Sequence, residues 1–170
     1  MSSILNVEIK APCPDPGKIE QILKDKGAEF KGSDNQVDTY FQVLEGKLKL
    51  RQGNIENSLI FYNRKEVVGL KTSHVELVIL ECLQAESMFN LLSASHTTLV
   101  QVNKLRKIYF VDNVKFHIDT VNNLGSFVEI EAINFQNQNE EELSSQCKYF
   151  LDLIGLKEED CIDSSYSDLI

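Results

Sequence analysis

The sequence lacks the features that mark several classes of protein. Its four cysteines, at positions 13, 82, 147 and 161, form no C-x-x-C pair and have no histidine at zinc-finger spacing, which argues against a structural zinc site and favours reduced thiols. No apolar run reaches the length of a transmembrane helix, and residues 1–8 contain no basic segment followed by an apolar core. A net charge of −9 provides no basic footprint for nucleic acid or a membrane surface. We therefore expect a cytoplasmic protein that binds neither.

No internal repeat, low-complexity run or linker interrupts the 170 residues. A chain of this length buries roughly two thirds of its unfolded surface when it folds as one unit. The sequence therefore predicts a single domain over residues 1–170.

Residues 115–131 predict two strands around a turn, with charges at alternate positions. Lys115, His117 and Asp119 share one face of the first strand, because successive side chains of a strand point to opposite sides. Glu129 and Glu131 share one face of the second strand, and Asn-Asn-Leu-Gly at 122–125 supplies the turn. Each strand therefore has one charged face and one apolar face.

Similar strand patterns occur in six further segments, at residues 5–10, 37–43, 47–51, 59–64, 75–80 and 100–110. Three amphipathic helices are also predicted. The first starts at Pro16 with Asp15 as its N-cap and ends at Gly27, and the others cover 85–95 and 140–153. The connections are short enough for mostly antiparallel pairing of the strands.

The charged faces of these strands decide between two architectures. Lys47, Lys49 and Arg51 lie on one face of a strand and repel each other unless facing carboxylates or an anionic ligand meet them. Such faces do not fit a sandwich with an apolar interior. We predict an α+β fold in which an antiparallel eight-stranded closed β-barrel has a polar lumen and helices packed on its apolar outside.

An ordered set of short motifs resembles the CYTH superfamily, the triphosphate tunnel metalloenzymes, which include class IV adenylyl cyclases and thiamine triphosphatases. The motifs are EIK at 8–10, DTYF at 38–41, KLKLR at 47–51, LIFYNR at 59–64, KTS at 71–73, KLR at 104–106, LGSFVEIE at 124–131 and SYSDL at 165–169. They extend over nearly the whole chain. The resemblance implies a tunnel that binds a triphosphate on basic residues and Mg²⁺ or Mn²⁺ on acidic ones.

The resemblance also implies which residues form the site. The metal carboxylates are Glu8, Glu129 and Glu131, with Asp119 joining them or orienting a neighbour. The phosphate ligands are Lys10, Lys49, Arg51, Arg64, Lys71, Lys104 and Arg106. The catalytic groups are expected among Glu8, Lys10, Arg106 and Asp119. This division suits the chemistry, because hard divalent cations prefer oxygen ligands and guanidinium groups match phosphate oxygens.

Two positions depart from the family pattern. The first-strand motif of the family is E-x-E-x-K, and Asn6 stands at its first position, where a ligand charge is lost. Asn63 stands where cyclase-like members often carry lysine, which removes one cation from the phosphate set. His117 shares a face with Asp119, where it either shuttles a proton or makes a structural hydrogen bond.

Three functions are consistent with the resemblance. The first is a metal-dependent phosphohydrolase acting on inorganic tripolyphosphate, a nucleoside triphosphate or thiamine triphosphate. The second is a class IV adenylyl cyclase, in which the ribose 3′-hydroxyl of ATP attacks the α-phosphate and pyrophosphate leaves. The third is a non-catalytic nucleotide or polyphosphate sensor, against which the retained carboxylates argue. The expected partner is a triphosphate-bearing small molecule, bound by a monomer or a homodimer.

Overall fold

The computed structural model describes the backbone of residues 4–67, 70–135 and 137–170, and the side chains of these residues apart from 4–5 and 64–74. Within these residues the strands are β1 (Ile4–Pro12), β2 (Glu29–Phe41), β3 (Lys47–Gln52), β4 (Ser58–Val67), β5 (Leu70–Ile79), β6 (Thr98–Val111), β7 (Val114–Val121) and β8 (Gly125–Ile133). They form a closed antiparallel barrel in the order β1-β5-β4-β3-β2-β6-β7-β8. The predicted eight-stranded barrel is therefore confirmed.

The helices are α1 (Pro16–Asp25), α2 (Cys82–Ser95), α3 (Glu140–Leu153) and the short α4 (Tyr166–Leu169). The Asp15 carboxylate accepts a hydrogen bond from the backbone N of Lys18 at 3.1 Å, and Pro16 begins α1, as predicted. Gly27 follows the end of this helix with φ at +74°, a conformation that glycine adopts without strain. Helix α4 was not predicted. Across the described residues, no helix is both long and apolar enough to cross a membrane.

Strand β2 begins well before its predicted start at residue 37. It pairs with β6 from Glu29 opposite Phe110 to Phe41 opposite Thr98, with a shift of register beside Gly32. Its first half reads EFKGSDNQ and has no apolar alternation, so periodicity gives no strand signal there. The long partner β6 supplies the hydrogen bonds that extend it.

Alternate residues of the strands separate an apolar outside from a charged inside. Phe116, Ile118, Val128 and Ile130 are buried in an outer core that also contains the inward faces of α1 and α3. The Phe116 ring meets Phe150 of α3 edge to face, with centroids 4.9 Å apart. Phe41, Leu50 and Leu92 form a second cluster beneath α2. Burial of each large apolar side chain in these outer clusters stabilises the fold by about 1.5–3 kcal/mol. The charged side chains lie on the other face of the strands and line the lumen.

Candidate active site

A cavity of about 410 Å³ occupies the lumen of the barrel. The predicted site residues that line it are Glu8, Lys10, Lys49, Arg51, Arg106, Glu129 and Glu131. Two others lie behind this surface: Lys104 is buried against Asp38, and Asp119 is buried against Arg106. The side chains of Arg64 and Lys71 lie outside the described residues.

Three predicted phosphate ligands meet at one buried carboxylate, that of Asp38 on β2. Its oxygens accept from Arg51 Nε at 2.9 Å and Nη2 at 3.0 Å, from Lys104 Nζ at 2.7 Å and from Lys49 Nζ at 3.4 Å. Burial alone would raise the pKa of the Asp38 carboxyl, but Arg51, Lys104 and Lys49 hold it well below its usual range. The Asp38 carboxylate therefore holds together three cationic side chains that would otherwise repel one another.

The charge of Lys104 depends on its surroundings. Burial is the main cause that lowers the pKa of its amine to about 7, and the guanidinium groups of Arg51 and Arg106 act in the same direction against the attraction of Asp38. Without a further anion, this lysine therefore titrates near neutral pH.

A second ionic cluster surrounds Arg106 on β6. Its Nε and Nη2 donate to Asp119 at 2.7 and 2.6 Å, and Nη2 also donates to Glu129 Oε2 at 2.7 Å. Lys10 Nζ lies 3.0 Å from Glu129 Oε1. Asp119 is completely buried, so this geometry favours the second of its two predicted roles, the orientation of a neighbour.

His117 lies between the same groups. Its Nδ1 is 3.0 Å from Glu129 Oε2, which assigns the ring proton to Nδ1. Burial lowers the pKa of His117 to about 4, helped by Arg106 and Lys115 and opposed by Glu129, so the ring is neutral near pH 7. Nε2 is buried with no hydrogen-bond partner among the described residues. The contact with Glu129 matches the predicted structural hydrogen bond.

Glu8 and Glu131 form a separate acidic pair, because they stand opposite each other on β1 and β8. Burial raises the pKa of the Glu131 carboxyl, and the charges of Glu8 and Glu129 raise it further against Lys115. Asn6 Nδ2 donates to Glu131 Oε1 at 2.6 Å, and Asn6 Oδ1 is buried without a partner among the described residues. Two carboxylates and an unsatisfied carbonyl oxygen fit a hard divalent cation.

The four carboxylates predicted to bind metal therefore separate into two sets. Asp119 and Glu129 contact cations of the chain, whereas Glu8 and Glu131 lie beside Asn6. Within the described side chains, no three or more His, Cys, Asp or Glu residues are grouped as they would be to hold a metal ion.

Sequence reasoning gave no site role to Glu56, which lies in the connection between β3 and β4. Its carboxylate accepts from Lys115 Nζ and, at 3.3 Å, from Arg51 Nη1. The backbone N atoms of Ile55 and Glu56 each donate to the buried Asp34 carboxylate at 2.9 Å, which holds this connection in place. Glu56 lies outside every periodic segment, so its sequence carried no signal for this position.

The C-terminal segment contributes Ser165 and Tyr166 to the lining of the lumen. Tyr166 is buried against Phe127, its hydroxyl donates to Asp119 Oδ2 at 2.8 Å, and Lys10 Nζ lies 4.0 Å from its ring centroid. Asp168 accepts from Lys47 Nζ and from Ser165 Oγ, which holds α4 at the start of β3. Tyr166 thereby joins the C-terminal segment to the cluster around Arg106.

The hydroxyl of Tyr166 gives a testable contribution to stability. Tyr166→Phe is expected to lower the free energy of unfolding by about 1.5–3 kcal/mol, because a buried hydrogen bond to a charged carboxylate is lost. Urea denaturation measures this change. Tyr149→Phe is the matched control, since Tyr149 is exposed on α3, and an equal loss in both variants would contradict the buried hydrogen bond.

A closed antiparallel barrel with buried ionic clusters in its lumen defines a β-tunnel protein. The family model of the CYTH domain matches residues 5–166, so the chain belongs to the CYTH domain family. The predicted family resemblance is thereby confirmed.

Individual relatives agree with this assignment. A candidate adenylate cyclase of Methanocaldococcus jannaschii is 22% identical over 175 residues, which cover 98% of each chain. The solved structure of the PH1012 protein of Pyrococcus horikoshii has a TM-score of 0.82 at 25% identity, covering 97% of this chain and 99% of that chain. HpAC1 of Hippeastrum, a candidate adenylyl cyclase with a dominant triphosphatase activity, shares the fold with a TM-score of 0.67 at 15% identity, covering 98% of this chain and 94% of that chain.

Proposed function

We propose that this protein is a divalent-metal-dependent phosphohydrolase that binds a triphosphate inside the barrel and acts as a cytoplasmic monomer or homodimer. The observation that supports the proposal is that one cavity contains two groups of residues with opposite charge. Cations collect around Asp38, and the acidic pair Glu8 and Glu131 lies beside the free carbonyl oxygen of Asn6. A metal-bound triphosphate needs both kinds of group, cationic donors for its oxygens and oxygen ligands for its metal.

The cavity-lining cations bind and orient the phosphate chain. Lys10, Lys49, Arg51 and Arg106 line the cavity and offer donors to phosphate oxygens. Asp38 and Asp119 hold the two guanidinium groups through two hydrogen bonds each, so these donors need little reorganisation when charge develops on the substrate. Glu8 and Glu131, with Asn6, would hold Mg²⁺ or Mn²⁺, which acts as a Lewis acid on a phosphate oxygen when bound.

Hydrolysis is favoured over cyclisation by what each reaction requires. A triphosphatase must place water in line with the terminal phosphoryl group, whereas a cyclase must also hold a ribose in a bent pose. Asn63 departs from the cyclase-like pattern and Asn6 from the first-strand motif of the family, and HpAC1 has a dominant triphosphatase activity despite its candidate cyclase name. The naming of the Methanocaldococcus jannaschii relative keeps the class IV adenylyl cyclase as the second candidate.

Triphosphate binding is expected to be linked to proton uptake by Lys104. The pKa of this amine is about 7 in the free protein, so it is mostly neutral at about pH 8, and a bound polyanion raises its pKa and restores its charge. Calorimetric titration with tripolyphosphate in two buffers of different ionisation enthalpy measures the protons taken up. The uptake should fall toward zero near pH 6, where the lysine is already charged.

Lys104→Gln serves as the control for this measurement, because tripolyphosphate also exchanges protons. The difference between wild type and variant at about pH 8 should approach one proton for each triphosphate bound. Equal proton exchange in the two proteins would show that Lys104 keeps one protonation state throughout.

Product analysis by phosphorus NMR tests the proposed reaction. The purified protein is incubated with Mg²⁺ or Mn²⁺ and either ATP or tripolyphosphate. Orthophosphate release supports hydrolysis, and cyclic AMP with pyrophosphate establishes the cyclase. Tight metal-free polyphosphate binding without any product from either substrate would identify a sensor.

A further inference from the structure

The cavity has a buried part and a part that is exposed to solvent. Its deep lining residues Lys10 and Arg106 are 3% and 2% exposed, whereas Ile55, Leu77 and Ile79, which line the same cavity, are 43%, 44% and 81% exposed. Tyr166 lines the buried part, where Lys10 Nζ lies 4.0 Å from its ring centroid. The mouth of the cavity therefore lies where β3 ends, β4 begins and β5 ends.

One wall of this mouth is apolar. Strand pairing places Ile60 opposite Leu77 and Ser58 opposite Ile79, and alternate residues of the two strands share a face. Ile60, Leu77 and Ile79 therefore line the cavity together, beside Ile55. A bare polyphosphate has no apolar surface to bury against such a wall, and large apolar side chains in contact with water are unfavourable.

Lys49 marks the boundary between the cationic and apolar parts of the cavity. It stands opposite Ile60 across the β3–β4 pairing, and its Nζ lies 3.4 Å from Asp38 Oδ2. The same Nζ lies 5.7 and 5.8 Å from the ring centroids of Tyr40 and Tyr62. Arg51 pairs with Ser58, which in turn pairs with Ile79, so a phosphate chain bound at Lys49 and Arg51 would lie beside the apolar wall.

We infer that the substrate is an organic ester of triphosphate, whose apolar or aromatic group lies against Ile55, Leu77 and Ile79 at the mouth. This inference rests on the proposed triphosphate-binding function. The three side chains then determine specificity, because they favour a substrate with such a group over inorganic tripolyphosphate. The cationic cluster binds the phosphates that both kinds of molecule share.

Calorimetric binding in EDTA tests the inference without turnover. Tripolyphosphate carries one more negative charge than ATP when both are fully ionised, so a site that recognises charge alone binds tripolyphosphate more tightly. We expect the reverse order, with ATP or thiamine triphosphate as the tighter ligand. In a Leu77→Thr/Ile79→Thr variant, the preference should fall about tenfold, a typical effect of lost apolar contacts in a pocket. Threonine keeps the β-branched shape that strands favour.

Val78→Thr is the matched control, because Val78 lies between the two positions, is exposed and does not line the cavity. This variant should keep the wild-type preference. Tighter binding of tripolyphosphate by the wild type, or an equal change in both variants, overturns the inference. Light scattering adds a further outcome: if the double variant dissociates a dimer with no change in ligand preference, a second copy covers the wall and the inference fails.

The hydrolysis assay separates this inference from the proposed function. If orthophosphate is released but tripolyphosphate binds more tightly than ATP, the proposed phosphohydrolase activity stands and the inferred organic substrate is wrong. An organic preference that depends on Leu77 and Ile79, without release of any product, would uphold the binding site and overturn the proposed reaction.

Discussion

Glu131→Gln is expected to lower metal-dependent triphosphate turnover by at least about 100-fold while the barrel remains folded. The substitution keeps the side-chain volume and an oxygen that accepts from Asn6, but removes the charge that faces Glu8. Burial and neighbouring carboxylates already raise the pKa of Glu131, so loss of its charge does not destabilise the free protein. The value of kcat/KM at saturating Mn²⁺ measures the effect on turnover.

Mn²⁺ binding followed by electron paramagnetic resonance gives a second readout that does not depend on turnover. The affinity should fall about 10–100-fold in Glu131→Gln. Glu141→Gln, an exposed change on α3, should leave affinity, turnover and Tm unchanged. Wild-type Mn²⁺ affinity together with wild-type turnover in Glu131→Gln would exclude this carboxylate as a metal ligand.

Asp38→Asn is expected to lower the free energy of unfolding by about 3–5 kcal/mol at neutral pH, since removal of one partner leaves buried charges uncompensated. Arg51, Lys104 and Lys49 would lose the carboxylate that they share. Urea denaturation measures the loss. Added tripolyphosphate should raise the Tm of this variant more than that of the wild type, because a bound polyanion replaces the missing negative charge.

The contribution of Asp38 has a defined pH dependence. Its pKa is lowered in the folded state, so the stabilisation is fully present above the unfolded pKa of about 3.9 and is lost as the pH falls through the lower folded value. The gap between wild type and Asp38→Asn should therefore narrow only in strong acid. Asp163→Asn, an exposed change, is the control, and a loss below about 1 kcal/mol in Asp38→Asn would contradict the central role of this carboxylate.

The barrel could be predicted from sequence because its strongest signals are local. Phe116 and Ile118 alternate with charged neighbours, so this alternation alone predicted which side chains face outward and which face the lumen. The turn between β7 and β8 was equally visible, since Asn123 and Gly125 adopt the positive φ values that such residues tolerate. The length of strand β2 was underestimated, because its pairing with β6 determines where it starts and its own sequence pattern does not.

The ion pairs could not be predicted, because they depend on strand register. Glu129 and Glu131 share one face of β8 two positions apart. Pairing places Glu129 opposite Lys10 and His117, whereas it places Glu131 opposite Glu8 and Lys115. The two carboxylates therefore have opposite pKa shifts. Tyr166 was missed as a partner of Asp119 for a different reason: it lies in α4, outside the sheet, and its contact with β7 joins distant parts of the chain.

The position of β1 in the barrel has a consequence for the order of folding. This strand pairs with β5 on one side and β8 on the other, and Asn6 and Glu131, which meet across the second seam, are 125 positions apart. Contacts of such high sequence separation form slowly, because the loop that joins them must close first. During synthesis the N-terminal strand leaves the ribosome long before β8 exists. The seam between β1 and β8 therefore cannot close before the last strand of the barrel has been made, and the lumen carboxylates on these strands face water until then.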